Sequence, residues 1–236
     1  MYTNGNADLS YSEQQARNPL YKHVAATFGW MFLGLLLTFV TAFGICMSPA
    51  LLFLFFSSTW SPFVLLIAQL FLVGFLSARI QHFSVGTARG IFLAYSVLSG
   101  ASLTPILLLY DLTSVIFCFL VAALFFGIMA VAGLVTKRDV ARFAPIVLIG
   151  LVTMLIMQLI SMFLNLPQFD TIISFVGIAL FMGITTYDAK RTKDFYYSFQ
   201  HDEAMLHKVS IFSALELYLD FLNLFLYLIR LLGRKK

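Results

Sequence analysis

The sequence predicts an all-α membrane protein with seven transmembrane helices, and three observations carry that prediction. First, 61% of the 236 residues are hydrophobic and only 11% are charged, against roughly a quarter charged in an ordinary soluble domain. Mean hydropathy is +0.92. A chain this size has no aqueous core large enough to hide so much apolar surface, including 26 phenylalanines. Second, Val24 to Ala78 contains no Asp, Glu, Lys, Arg or His. Third, the basic residues fall only in alternate loops. A soluble enzyme, a disordered chain and a nucleic-acid module are thereby disfavoured, and the +4 net charge is a topology signal, not a DNA-binding one.

The first 23 residues form a polar tail with Asp8, Glu13, Arg17, Lys22 and His23. It lacks the apolar stretch of a cleavable signal peptide. The uncharged run that follows would extend about 80 Å as one helix, far beyond a hydrocarbon core of ~30 Å. It must fold back, and Ser48-Pro49 and Ser57 to Pro62 supply turn signals. Segment one is therefore placed at 24–47 and segment two at 62–79. Segment three runs from Gly90 to Tyr110 and is closed by Asp111. Segment four runs from Leu112 to Val135, before Lys137-Arg138-Asp139. Segment five covers 144–165 and ends at Asn165-Leu166-Pro167. Segment six runs from 170 to Tyr187, and the last from 209 to 229. The transmembrane domain thus spans 24–229, and residues 230–236 form a basic tail.

With the N-terminus cytoplasmic, the inside regions hold Arg17, Lys22, Arg79, Arg89, Lys137, Arg138, Arg142, Lys190, Arg191, Lys193 and Lys208, and the outside loops between segments hold no basic residue. That bias orients the first six segments. Arg230, Arg234, Lys235 and Lys236 conflict with it. Either this tail is translocated, or the last segment re-enters and returns.

The last segment carries the chemistry. Ser213, Glu216, Asp220, Asn223, Tyr227 and Arg230 recur at spacings of three and four, one stripe of a helix. A carboxylate at mid-membrane costs several kcal/mol, so the stripe must face protein or a wet cavity. Glu216 and Asp220 are candidate functional residues, with Ser213 and Asn223 as further pore-lining candidates. A buried polar seam that only glues helices is the plainer alternative. Ser96, Ser99, Gly100, Ser102 and Thr104 on segment three suit either reading. Asp188 at the end of segment six reads equally as an interfacial acid beside Lys190 and Arg191, and Arg79 as a snorkelling arginine. Cys46 and Cys118 read as small apolar residues. Asp111, Asp139, Asp170, Asp194, Asp202 and Glu203 read as solvated loop acids.

The stretch Ala214-Leu215-Glu216-Leu217-Tyr218-Leu219-Asp220-Phe221-Leu222-Asn223 resembles the signature of the Bax inhibitor family. Leu76-Ser77-Ala78-Arg79-Ile80, Leu98 to Leu103 and Tyr187-Asp188 fit its bacterial branch. The resemblance implies a seven-helix fold in which the last helix is central and wrapped by the other six. It implies a pH-sensitive calcium leak channel in the bacterial inner membrane. In that picture Asp188 and Asp220 share a proton between helices six and seven, meet calcium transiently, and are latched by Arg79. Calcium and protons are then the permeant or sensed species, the bilayer is the partner, and no resident cofactor and no enzymatic activity are expected. Two differences stand out: a longer stretch between Asp188 and Asp220, and Glu216 where small or polar residues are usual. Two carboxyls held close cannot both ionise cheaply, so such a pair titrates as a unit.

Three other functions fit the sequence less closely. Intramembrane aspartyl proteases resemble one another in Gly-x-Gly-Asp, whereas Asp220 sits in Leu-Tyr-Leu-Asp. A retinal protein needs a mid-depth lysine that the last helix lacks. A non-conducting protein that modulates a membrane protease or cell-death factors is the main alternative.

Overall fold

A computed structural model describes residues 5–137, 144–164 and 167–236. Eight helices lie within them: α1 (Gly5–Met47), α2 (Pro49–Phe56), α3 (Ser61–Arg79), α4 (Val85–Leu109), α5 (Leu112–Val135), α6 (Ala144–Leu164), α7 (Pro167–Phe199) and α8 (Glu203–Leu232). Among the described residues there is no strand beyond a single bridge, Tyr110 with Lys235. Helices are what a bilayer demands, because they satisfy their backbone groups internally. Six of them are long and apolar enough to cross a membrane, whereas α6 carries a shorter apolar stretch, Val147–Gln158. The chain is a multi-pass membrane protein.

Each helix start has a local cause. Ser48 caps α2 by accepting from Leu51 N, with Pro49 at its first turn. Ser84 accepts from Thr87 N at 3.0 Å to begin α4. Asp111 Oδ2 accepts from Thr113 N and Ser114 N at the start of α5. Asp202 Oδ1 accepts from Met205 N at 2.9 Å to begin α8. Asp111 and Asp202 are therefore N-caps, not simply solvated loop acids, and a cap is worth about 1 kcal/mol. Asp170 accepts from Ser161 Oγ at 2.9 Å, Asp194 pairs with Lys190, and Glu203 lies 3.8 Å from His207 Nε2. Asp139, Arg138, Arg142 and Asn165 lie outside the described residues.

The expected boundaries shift in five places, the first being α4, which begins at Val85 and not at Gly90. The N-terminal tail is helical from Gly5 and runs into α1. The expected turn after Met47 contains the short helix α2. Helix α7 continues beyond Tyr187 to Phe199, carrying Asp188 and Arg191 well inside a helix. Helix α8 begins at Glu203, not near 209. The charged stretch 188–199 is helix and not loop, with Lys190 paired to Asp194 one turn on.

Burial separates α8 from the rest. Within the apolar window of each spanning helix, 72% of α8 is buried inside the protein, against 39% for α4, 33% for α7 and 11% for α3. It packs against α1, α4, α5 and α7. Large exposed apolar residues such as Phe32, Phe53, Ile67, Leu120 and Ile149 cover the outer helices, as a lipid-facing surface requires. Two glycines set close helix approaches. A Cβ on Gly100 would stand 2.6 Å from Thr38 O, joining α4 to α1, and one on Gly133 would stand 2.3 Å from Thr186 O, joining α5 to α7. Small residues at such crossings let backbones meet in a solvent as apolar as the side chains.

A hydroxyl network knits α8 to α1 and α4. Tyr218, fully buried, places its hydroxyl 2.6 Å from Thr38 Oγ1. Thr38 Oγ1 also lies 2.9 Å from the carbonyls of Gly34 and Ser96. The Tyr218 ring meets Phe92 and Tyr95 edge-on, at 5.8 and 5.9 Å between centroids. Tyr218→Phe should keep that packing and remove one of three contacts of Thr38 Oγ1, those to the Gly34 and Ser96 carbonyls remaining. Hydrogen bonds inside membranes average ~0.6 kcal/mol with a maximum near 1.7, so about 1 kcal/mol, or roughly 2–4 °C in the unfolding midpoint, is expected in detergent.

The C-terminal residues fold back on the α4–α5 turn. Asp111 N donates to Arg234 O at 2.9 Å, Lys236 N to Leu109 O at 3.0 Å, and Arg234 N to Ser114 Oγ at 3.2 Å. Helix α8 runs unbroken to Leu232. The re-entrant alternative is thereby overturned: the tail lies at the same end of the molecule as the α4–α5 turn.

Candidate functional site

The site grows from the polar stripe of α8. Asp220 is 3% exposed, and Ser213 is equally sequestered at 1%. From α7, Asp188, at 8% exposed, and Thr185, fully buried, belong to the same buried polar region as Asp220. Two carboxylates are both acceptors. A hydrogen bond between two such groups requires that one carry a proton. Because α7 continues to Phe199, Asp188 lies within the helix and not at its end.

Glu216 lies one turn before Asp220. Its Oε1 accepts from Arg191 Nη1 at 2.7 Å, with the two side chains 17% and 37% exposed. Arg191 follows Asp188 by three residues, so both project from one face of α7. Its guanidinium is held over the rings of Phe195 at 4.9 Å and Phe212 at 5.7 Å. This aromatic seat lowers the freedom of a cation that would otherwise snorkel.

The polar track continues towards the α7–α8 connection. Thr27 Oγ1 lies 2.9 Å from Ser210 Oγ, and His23 on α1 sits 5.8 Å from the Tyr196 ring. Four buried side-chain atoms among the described residues have no hydrogen-bond partner: His23 Nε2, Ser213 Oγ, Glu216 Oε2 and Asp220 Oδ2. Three of the four belong to one stripe of α8. Buried polar atoms in folded proteins are almost always satisfied by protein or water, so these atoms mark where α8 can take a further hydrogen-bond partner.

The remaining candidates fall elsewhere. Asn223 turns back on its own helix, donating through Nδ2 to Leu219 O at 2.8 Å. Arg79 is exposed at the end of α3, its guanidinium 5.8 Å from the Phe75 ring. Glu216 has its ion pair with Arg191. Among the described residues no group of three or more His, Cys, Asp and Glu is arranged to hold a metal ion. Cys46 and Cys118 are free thiols. Arg191 and His23 were missed from sequence. Arg191 could have been found by continuing the helical period of segment six through its charged end.

The family described as "Inhibitor of apoptosis-promoting Bax1" matches residues 20–236. The chain is 36% identical over 223 residues to the "Inner membrane protein YbhL" of Escherichia coli K12, covering 94% of this chain and 95% of that protein. It is 33% identical to an uncharacterized protein of Borreliella burgdorferi, over 91% of this chain and 93% of the relative. The protein RP147 of Rickettsia prowazekii is 33% identical, with 92% and 91% covered. With its last helix buried and its carboxylates turned inward, the chain belongs to the Bax inhibitor family.

Proposed function

We propose that the chain is a passive, pH-sensitive calcium leak of the Bax inhibitor type, resident in a bacterial inner membrane. On this reading α6 supplies the seventh span, α8 stands at the centre of the other six, and the N-terminus is cytoplasmic. YbhL's description as an inner membrane protein supports the compartment. The observation that carries the reading is the line of unpartnered buried atoms on α8, Ser213 Oγ, Glu216 Oε2 and Asp220 Oδ2. Calcium is a hard cation that takes oxygen ligands, and partly dehydrated passage favours carboxylates on the path.

Asp188 and Asp220 form the pH sensor. A shared proton ties α7 to α8, and its loss sets two negative charges against each other across that contact. Arg191 and Glu216 hold the same two helices together one turn away, so Arg191 takes the latching role that the resemblance assigned to Arg79. The chain performs no chemistry on a substrate and is not an enzyme.

Calcium flux in liposomes tests the proposal. Wild-type flux should change with pH, and Asp188→Asn and Asp220→Asn should each flatten that profile. Variants that follow wild type at every pH remove the gating claim. A reconstituted protein that captures membrane partners yet passes no calcium favours the non-conducting interaction protein instead.

A further inference from the structure

We infer that the chain holds one anionic phospholipid, with an acyl chain in the groove between α1 and α5 and the phosphate at the C-terminal basic residues. The groove is a cavity of about 320 Å³, walled by Phe32 and Phe39 of α1 and Ile116 and Leu120 of α5, and floored by Leu107 of α4 and Phe225 of α8. Its walls are half or more exposed: Phe32 68%, Phe39 51%, Ile116 52% and Leu120 62%. It therefore opens sideways into hydrocarbon, not into water.

Its position along the helices decides the occupant. On α1 the lining runs from Phe32 to Ala42, about 15 Å at ~1.5 Å per residue, or half of a ~30 Å hydrocarbon core. On α4, α5 and α8 every lining residue lies in the half nearer the α4–α5 turn. The groove thus matches one leaflet, the length of a single acyl chain, and a spanning partner helix would need twice that length.

Charge complementarity stands at the open end. Lys236 Nζ donates to Leu107 O at 3.0 Å, on a residue that lines the groove. Arg234 is fixed beside it through Ser114 and Asp111, and Lys235 pairs its backbone with Tyr110. Arg234, Lys235 and Lys236 are all exposed. Asp111, the acidic side chain among the described residues of this turn, is engaged in capping α5. Three cations clipped to the rim of a leaflet-deep apolar slot recognise a phosphate joined to a fatty tail. The exposed basic residues at a translocated end, which conflicted with the charge bias of the loops, thereby acquire a use.

The test uses the full chain in nanodiscs of phosphatidylglycerol and phosphatidylcholine in equal amounts, with identical acyl chains, and counts retained lipids by native mass spectrometry. The wild type should retain one lipid, phosphatidylglycerol over phosphatidylcholine by roughly a hundredfold, since each of three surface cations attracts an anionic headgroup by ~1 kcal/mol and tenfold corresponds to ~1.4 kcal/mol. The tail variant R234Q/K235Q/K236Q should lose that preference. Leu36→Trp, which fills the groove and leaves the tail untouched, should lose retention of both lipids, and Ile116→Trp repeats this from the opposite wall. Equal retention of the two lipids by wild type overturns the inference. So does undiminished phosphatidylglycerol in both Trp variants, which would mean that the tail gathers headgroups without a seated chain.

Discussion

Arg191→Gln should lower the unfolding midpoint by roughly 4–8 °C in detergent. The change strips Glu216 of its cation while leaving the carboxylate inside the protein. Removing one partner of a fully buried ion pair costs ~3–5 kcal/mol, and of an exposed pair ~0–1. At 17% and 37% side-chain exposure this pair falls between, at about 2 kcal/mol, which converts at roughly 2–4 °C per kcal/mol for a chain of this size. The double variant Arg191→Gln/Glu216→Gln should recover at least half of the loss, because no uncompensated charge stays behind. Equal midpoints for the single and the double variants would show that the two side chains are not energetically coupled. In the calcium assay the single variant should leak more at every pH, since one fastening between α7 and α8 is gone.

Gly133→Leu should be more damaging still. A single added carbon would already sit 2.3 Å from Thr186 O and 2.9 Å from Ala189 Cβ. Backbone oxygen cannot rotate away, so α5 must move off α7 by about 1 Å even for alanine. Overpacking of this kind costs ~1–3 kcal/mol, and leucine exceeds that range. Gly127, two turns earlier on α5, has open space around its would-be Cβ. Gly127→Ala should be neutral or slightly stabilising, because alanine exceeds glycine in helix propensity by ~1 kcal/mol. Comparing the two in a thermal unfolding series separates the crossing from the helix. Equal effects at 133 and 127 would refute the close approach. Gly133 also sets the position of Asp188, one residue before Ala189, so a tolerated variant such as Gly133→Ala should shift the pH profile of flux.

Membrane residence and helical class were legible from the 55-residue uncharged run, because a bilayer imposes a length on apolar helices that no other environment does. The polar stripe of α8 was legible for the same reason: a carboxylate amid Leu and Phe at helical spacing has few tolerable directions. What sequence concealed was the extent of α7. Lys190, Arg191 and Asp194 were read as a loop from their charge, yet helices emerging from a membrane carry polar surface, and the ion pair of Lys190 with Asp194 supports the helix there. That misreading hid Arg191, whose partner Glu216 lies 25 positions away. The pairing of Tyr218 with Thr38 was equally hidden, since 180 residues separate them and no local pattern marks either hydroxyl.

The burial of α8 bears finally on how the chain is made. The segment least able to dissolve in lipid leaves the ribosome after α1, α4, α5 and α7, the helices that receive it. Glu216 and Asp220 would each oppose release from the translocon by ~2.5–3.5 kcal/mol if α8 entered alone. Entry must therefore be a docking event, in which Arg191, Thr185 and Thr38 already wait. A nascent chain stopped after α7 would carry an unfilled polar seam and should be a preferred substrate of membrane quality control.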